Sequence, residues 1–155
     1  MNDRYLYRAK RKNWRELQKE KWWVTGYLVN KKCGKYNTVG FEEFEAMIIV
    51  TSFSDGGIDW CYIDEDTICQ CTGLKDKNGK LIWENDIVKY HFGEEYAPIK
   101  YGAYQICFDS TKTGHCGFYV DWPENVNKRK DLGCWINMVD AEIAGNVFDN
   151  PELLE

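Results

Sequence analysis

Cysteines are the first side chains in this sequence to consider for chemistry, because thiols can bind metals or act as nucleophiles. The chain contains seven cysteines. The closest pair, Cys69 and Cys71, would share one face of a strand because alternate strand residues point the same way. With Cys61 or Cys116 this pair could bind zinc, yet the C-x2–4-C pairs usual in structural zinc sites are missing from the sequence. We therefore expect free, packed thiols, no bound metal and no cofactor.

Catalytic patterns are also missing from the sequence. There are two histidines, and His115 adjoins Cys116, so on a strand the two side chains would point to opposite faces. No Gly-rich phosphate loop and no nucleophile-elbow sequence occurs. Glu84 and Asp86 could pair for acid–base work, as glycosidase carboxylates do, but they stand in a turn-like context. We therefore expect a protein that is not an enzyme, and we name no catalytic residue.

Basic residues are concentrated at the start of the chain. The segment from Met1 to Lys21 has eight basic and three acidic residues, although the whole chain has a net charge of −5. Such a segment could contact phosphates, or it could be the solvated flank of a hairpin. An acidic body would repel a polyanion, which favours the second interpretation. The basic candidates for a binding site are Arg8, Arg11, Lys128, Arg129 and Lys130.

The elements that would position these residues are mostly strands. Aromatic residues make up 15% of the chain, and they suit pleated, half-buried surfaces. Short alternating segments recur between turn residues, which predicts a small barrel or sandwich of about ten antiparallel strands. An SH3-like C-terminal half is one form this fold could take. We expect one domain over 1–155, either undivided or as two packed β lobes at about 1–66 and 67–155.

The clearest local prediction is a hairpin with strands at 68–74 and 80–83. Its turn contains Asn78-Gly79, a pair typical of tight turns in which both central residues have positive φ. A second turn follows at Glu84-Asn85-Asp86. Elsewhere, residues 31–40 predict a loop, whereas residues 11–20 fit either a hairpin loop or a helical turn. A helical turn is expected after Asn150, with Pro151 at its first position.

Two segments around this hairpin carry a recognisable pattern. Residues 70–79 read QCTGLKDKNG, and residues 82–88 read IWENDIV. They resemble the signature of the YopX-like proteins of phages and prophages, which typically run Q-aromatic-T-G-L-x-D-K-N-G and then I-aromatic-E-G-D-I-V. The beginning of the chain (YRAKR, then WWVTGYL) and its end (IAGNVFDNPELL) are similar to that family as well, so the resemblance covers nearly the whole chain.

Two residues depart from the family pattern. Cys71 stands where an aromatic residue is usual, and Asn85 replaces a turn glycine. Asn85 should still permit the turn because asparagine tolerates the left-handed conformation. The resemblance implies a mostly β accessory protein and transfers no activity to any residue. The signature also has a structural interpretation as a set of turn residues, namely Gly73, Asp76, Asn78, Gly79, Glu84, Asn85 and Asp86.

These observations lead to two hypotheses about function. The first is a binding module that engages a host or phage protein, with Trp22 or Trp23 as an anchor. On a strand, one of these adjacent tryptophans should be in the core. The alternative is a β barrel that binds nucleic acid through the basic N-terminal hairpin. The sequence is compatible with a homo-oligomer under either hypothesis.

The location of the protein is predicted from two further features of the sequence. The first residues lack the apolar core of a signal peptide, and the longest apolar run, residues 46–50, is too short to span a membrane. We therefore expect the protein in the bacterial cytoplasm, without a membrane partner.

Overall fold

The computed structural model describes residues 3–54, 56–90, 93–105, 113–123, 129–138 and 141–155. Over these ranges the chain is mostly β, with ten strands in two antiparallel sheets. The strands are β1 (Tyr7–Lys10), β2 (Trp23–Asn37), β3 (Gly40–Ser54), β4 (Gly57–Tyr62), β5 (Cys69–Lys75), β6 (Leu81–Trp83), β7 (Asp86–Lys89), β8 (Tyr96–Gln105), β9 (Gly114–Val120) and β10 (Ile143–Asn146). The predicted fold class is confirmed, with open sheets rather than a closed barrel over the described strands.

Short helical elements complete the described chain. One α-helix, α1, spans Leu132–Met138, and 3-10 turns occur at Asp3–Tyr5, Trp14–Glu16, Lys19–Lys21, Glu65–Thr67 and Pro151–Leu154. The last of these confirms the helical turn expected at the C-terminal end. None of the helices in the described ranges has the length and hydrophobicity needed to cross a membrane.

The chain forms two compact units. Unit 2 comprises Tyr5–Gln70, and unit 1 comprises Met1–Arg4 with Cys71–Glu155. Strand β5 begins in unit 2, where its first residues pair with β1, and continues in unit 1, where it pairs with β6.

Unit 2 is an antiparallel sheet in the order β4-β3-β2-β1. One face packs into a core centred on Ala9, Val24, Ile49 and Ile63. The close approach of β2 to β3 requires a glycine at position 26, because a Cβ there would lie 2.0 Å from a backbone oxygen of the neighbouring strand. The predicted N-terminal hairpin is present, since β1 and β2 pair antiparallel.

Strands β2 and β3 are much longer than expected. They stay in register from Tyr27 opposite Val50 to Asn37 opposite Gly40. The predicted loop over residues 31–40 is therefore wrong. Cross-strand pairs stabilise strands even where glycine and lysine suggest a loop, and here Lys35 Nζ lies 3.5 Å from Glu42 Oε2.

The connection between β1 and β2 resolves an alternative that the sequence left open. It contains the 3-10 turns Trp14–Glu16 and Lys19–Lys21. The segment over residues 11–20 is therefore folded as short helical turns rather than as an open hairpin loop.

Unit 1 contains the four-stranded sheet β10-β7-β8-β9. Its core includes Ile82, Ile99, Trp122 and Trp135, the last from α1. The sequence did not predict α1, which contains a glycine and is short. At its start the Asp131 carboxylate accepts a hydrogen bond of 2.6 Å from the backbone N–H of residue 134, in the manner of an N-cap.

The signature turns are present with one correction. Asp76 Oδ1 accepts hydrogen bonds from the backbone N–H groups of Asn78 and Lys80. Of the two central residues Asn78 and Gly79, only Gly79 has positive φ, at 80°. The predicted turn with positive φ at both central residues is therefore wrong, because the Asp76 side chain holds a wider turn closed. Gly73 lies inside β5 at a bulge rather than in a turn.

The second turn agrees with the sequence prediction. Asn85 has a φ of 65° and is the one non-glycine residue with positive φ in the described part of the chain. Beside it, the Asp86 carboxylate accepts a hydrogen bond of 2.9 Å from the backbone N–H of Trp83. Both residues therefore have structural roles, and Glu84 begins the same turn.

Candidate functional site

A buried lysine surrounded by tryptophans occupies the start of unit 2. Lys10 is only 2% exposed, and its Nζ lies 4.0 Å from the ring centroid of Trp14, 4.7 Å from that of Trp22 and 5.6 Å from that of Trp23. Arg8 stacks on Trp23 at 4.8 Å. We call these five residues the Trp–Lys cluster. Ring faces attract cations, which offsets part of the cost of burying the ammonium group.

Hydrogen bonds fix the Trp–Lys cluster to its surroundings. Trp14 Nε1 donates to Asp64 Oδ2 at 3.0 Å, and Trp22 Nε1 donates to the backbone oxygen of Leu17 at 2.9 Å. The backbone N–H of Lys10 donates to Thr67 Oγ1 at 2.8 Å. The cluster therefore holds the 3-10 turns before β2 in place, and its architecture accounts for these tryptophans without a ligand.

The structure changes how the predicted site residues Arg8, Arg11, Trp22 and Trp23 are understood. Trp22 precedes β2, so the expectation that one of the two tryptophans is in the core is wrong, and both are half-buried. Arg8 contacts a ring, and Arg11 Nε donates to the backbone oxygen of Lys21 at 3.2 Å. Of the two arginines, Arg11 is the one that lines open surface.

The second basic cluster belongs to unit 1. Lys128 lies outside the described residues. Lys130 Nζ lies 3.8 Å from Asp121 Oδ1, and the backbone oxygen of Arg129 accepts a hydrogen bond from Trp135 Nε1. Both described residues therefore take part in contacts within unit 1, while the side chain of Arg129 is exposed.

The largest array of exposed apolar side chains lies on unit 2. Residues paired directly across strands share a face, and Tyr27, Val50 and Trp60 are in register on β2, β3 and β4. This face is opposite to the one that carries the core residues Val24 and Ile49. We call it the outer face, and its exposed or half-buried aromatic and large aliphatic members are Tyr27, Val29, Phe44, Phe53, Ile58, Trp60 and Tyr62.

Two members of the outer face are notable for their exposure. Phe53 is 67% exposed and Ile58 is 56% exposed, and the two residues are paired across β3 and β4. The ring of Phe53 lies 6.4 Å from that of Tyr27. Clustered exposed aromatic and aliphatic residues of this kind mark interaction surfaces more often than single exposed ones do.

Trp60, on the outer face, contacts both a cation and another aromatic ring. Lys31 Nζ lies 3.4 Å from its ring centroid, and the ring of Tyr62 lies 5.2 Å away in an edge-to-face arrangement. Tyr62 in turn donates a hydrogen bond of 3.4 Å to Cys33 Sγ, and this bond raises the pKa of Tyr62. The contacts with Lys31 and Tyr62 restrict the orientation of the Trp60 ring before any partner binds, which lowers the entropy cost of binding.

An open groove runs beside the outer face. We call it the β4 groove; it is lined by Arg11, Lys12, Asn13, Trp60, Cys61 and Tyr62. Burial raises the pKa of the Cys61 thiol, and the smaller opposing effect of nearby Arg11 does not reverse this. Because the thiolate is the reactive form of cysteine, Cys61 is not activated as a nucleophile at neutral pH.

The chemical candidates named from the sequence are not brought together. Cys69 and Cys71 are both fully buried, as expected for thiols on one face of a strand. Within the part of the chain that the structure describes, no group of three or more His, Cys, Asp or Glu side chains could hold a metal ion. The six cysteines in that part are free thiols.

The sequence reasoning missed Lys10, Trp14 and the outer face. A signal for the outer face was present, because Ile58, Trp60 and Tyr62 alternate along β4 with the period of a strand. The Trp–Lys cluster had no comparable signal, since Trp14 and Trp22 reach Lys10 from outside the strands.

Comparison with known proteins supplies the family. None of the curated proteins compared with the chain matches it. A family model described as YopX protein matches residues 7–155, which include the signature segments and nearly all of both units. The chain therefore belongs to the YopX protein family.

Proposed function

We propose that this YopX-family protein is a phage or prophage accessory protein without catalytic activity, which binds a host or phage protein through the outer face of unit 2. The observation that carries this proposal is the exposure of Phe53, Ile58 and Trp60 on one sheet face. Burying such residues in an interface contributes roughly 25 cal/mol per Å² of apolar surface removed from water. Trp60, already ordered by Lys31, suits the role of a central anchor.

The Trp–Lys cluster supports a protein rather than a nucleic acid as the partner. Lys10 is buried and Arg8 stacks on Trp23, so two of the cations in the basic N-terminal segment make internal contacts. Unit 2 also has as many basic as acidic residues, and a neutral unit attracts a polyanion weakly. Nucleic-acid binding through Arg11 and Lys12 is the competing function.

Affinity capture from a lysate of the bacterial host tests the proposal. The full chain is compared with Phe53→Ser/Ile58→Ser and with the control Tyr101→Ser, which removes an exposed aromatic side chain from unit 1. We expect a protein that survives nuclease treatment to be retained by the full chain and the control, and lost with the double variant. Equal retention by all three proteins, or loss of everything captured on nuclease treatment, would contradict the proposal.

A further inference from the structure

The edge of β4 is one of the unpaired backbone edges of unit 2. Strand β4 is the outermost strand of its sheet and pairs with β3. At its end, the backbone N–H of Lys12 donates to the backbone oxygen of Tyr62 at 3.0 Å, and Arg11 forms a bridge with Ile63. The segment around Arg11 therefore covers the last part of this edge.

From Ile58 to Trp60 the edge of β4 has no partner strand among the described residues. Backbone groups of alternate residues in an antiparallel strand point the same way, so those of Ile58 and Trp60 point outward like the paired oxygen of Tyr62. Proteins usually protect such edges with charged side chains, above all lysine, with proline or with a bulge in the edge strand. The one charged residue of β4, Asp59, accepts a hydrogen bond from Ser52 on β3. The sequence of β4, GIDWCY, has no lysine or proline, and the bulge at this pairing lies in β3.

The charged side chains that line the groove beside this edge are cations. Arg11 and Lys12 line the β4 groove together with Trp60, and Lys31 covers the ring of Trp60. Asp64 and Asp59 are close in sequence to the groove residues but do not line the groove; Asp64 accepts from Trp14 Nε1, and Asp59 accepts from Ser52 Oγ at 2.6 Å. A ligand in the groove therefore meets two cations, no carboxylate and an aromatic ring.

We propose that an extended acidic segment of the partner protein adds to β4 as a further strand, with its carboxylates beside Arg11 and Lys12. This inference rests on the proposed function and specifies how the partner binds. Backbone hydrogen bonds to Ile58 and Trp60 would align the segment, and charge would select it. A nucleic acid matches the cations of the groove but cannot match the alternating donors and acceptors of a strand edge.

Peptide binding to the full chain tests the inference. The probe is a fluorescent peptide of about eight residues, a common strand length, in which glutamate alternates with valine. We expect saturable binding, measured by fluorescence anisotropy, that weakens at least about tenfold when lysine replaces glutamate. Methylation of the amides on one side of the peptide backbone should abolish binding, whereas methylation on the other side should not.

Two double variants assign the charge selection to the groove. Arg11→Glu/Lys12→Glu should weaken binding at least about tenfold, equivalent to about 1.4 kcal/mol. The control Lys75→Glu/Lys80→Glu changes the net charge equally in unit 1 and should leave binding unchanged. Circular dichroism and urea unfolding check that both variants fold. If Arg11→Glu/Lys12→Glu does not fold, Arg11→Gln/Lys12→Gln replaces it, with a smaller expected loss of peptide affinity.

Four outcomes would overturn strand addition to β4. They can be distinguished from a failure of the outer face to bind a partner. Equal binding of the acidic and basic peptides, or insensitivity to methylation on both sides, excludes strand addition guided by charge. Stronger binding of a single-stranded oligothymidylate than of the acidic peptide assigns the groove to nucleic acid. If the peptide does not bind while capture still depends on Phe53 and Ile58, the outer face binds a partner in another way and the inference on β4 fails alone.

Discussion

At the scale of residues, the Trp–Lys cluster shows how one buried cation organises a segment with little regular structure. Lys10 is on a strand, but Trp14 and Trp22 approach it from the neighbouring 3-10 turns, with their rings 4.8 Å apart. A contact between an aromatic ring and a desolvated ammonium group contributes about 2 kcal/mol or more. The cluster is therefore the main tertiary anchor that we identify for the connection between β1 and β2.

Loss of one aromatic ring from the Trp–Lys cluster should have a large effect on the stability of the protein. Trp14→Ala should lower the free energy of unfolding by about 2–4 kcal/mol, because it removes a cation–π contact, a ring–ring contact and the hydrogen bond to Asp64. Urea unfolding followed by circular dichroism measures the change. The control Tyr5→Ala removes an aromatic side chain that is 68% exposed and should change stability by less than about 0.5 kcal/mol. Equal effects of the two substitutions would mean that the cluster contributes little.

At the scale of elements, local patterns predicted the turns and the strands beside them. The hairpin of β5 and β6, the left-handed Asn85 and the C-terminal 3-10 turn could be predicted because each depends on neighbours in sequence. The prediction failed for the far ends of β2 and β3, where residues 31–37 pair with residues that follow the turn. Helix α1 was missed because its stability comes largely from Trp135 and Ile136 packing in the core of unit 1.

The hairpin turn permits a sharper prediction. Gly79→Ala should destabilise the protein by about 1 kcal/mol, because φ at this position is 80° and a Cβ is strained there. Asn78→Gly should not stabilise the protein, since Asn78 does not have the positive φ of the expected tight turn. Thermal unfolding of both variants provides the measurement. A rise in the unfolding temperature of Asn78→Gly would contradict this and would indicate a tight turn with positive φ at both Asn78 and Gly79.

The predicted site residues also show where sequence reasoning ends. Trp22 and Trp23 were selected as aromatic residues that could anchor a partner, but they pack on Lys10 and Arg8. Exposure of Phe53 and Ile58 depends on whether another layer covers the outer face. Neighbouring residues in the sequence do not determine whether such a layer is present. The alternation along β4 therefore could not distinguish a second core face from a binding surface.

At the scale of the whole molecule, charge is divided between the two units. Unit 2 has equal numbers of acidic and basic residues, so the net charge of −5 belongs to unit 1. Within neutral unit 2, Arg11 and Lys12 line the β4 groove, while the outer face beside it carries exposed apolar side chains. This arrangement favours a partner that combines an apolar surface with acidic residues, because like charges in the groove would repel a basic one.

The most direct test of the proposed binding function is photo-crosslinking inside the bacterial host. A photoreactive phenylalanine derivative is placed at position 53 or 58 of the outer face, or at position 101 of unit 1 as a control for a similarly exposed position. We predict that positions 53 and 58 crosslink to the same protein and that position 101 does not. Crosslinks at position 101 alone, or identical products at all three positions, would contradict the assignment of binding to the outer face.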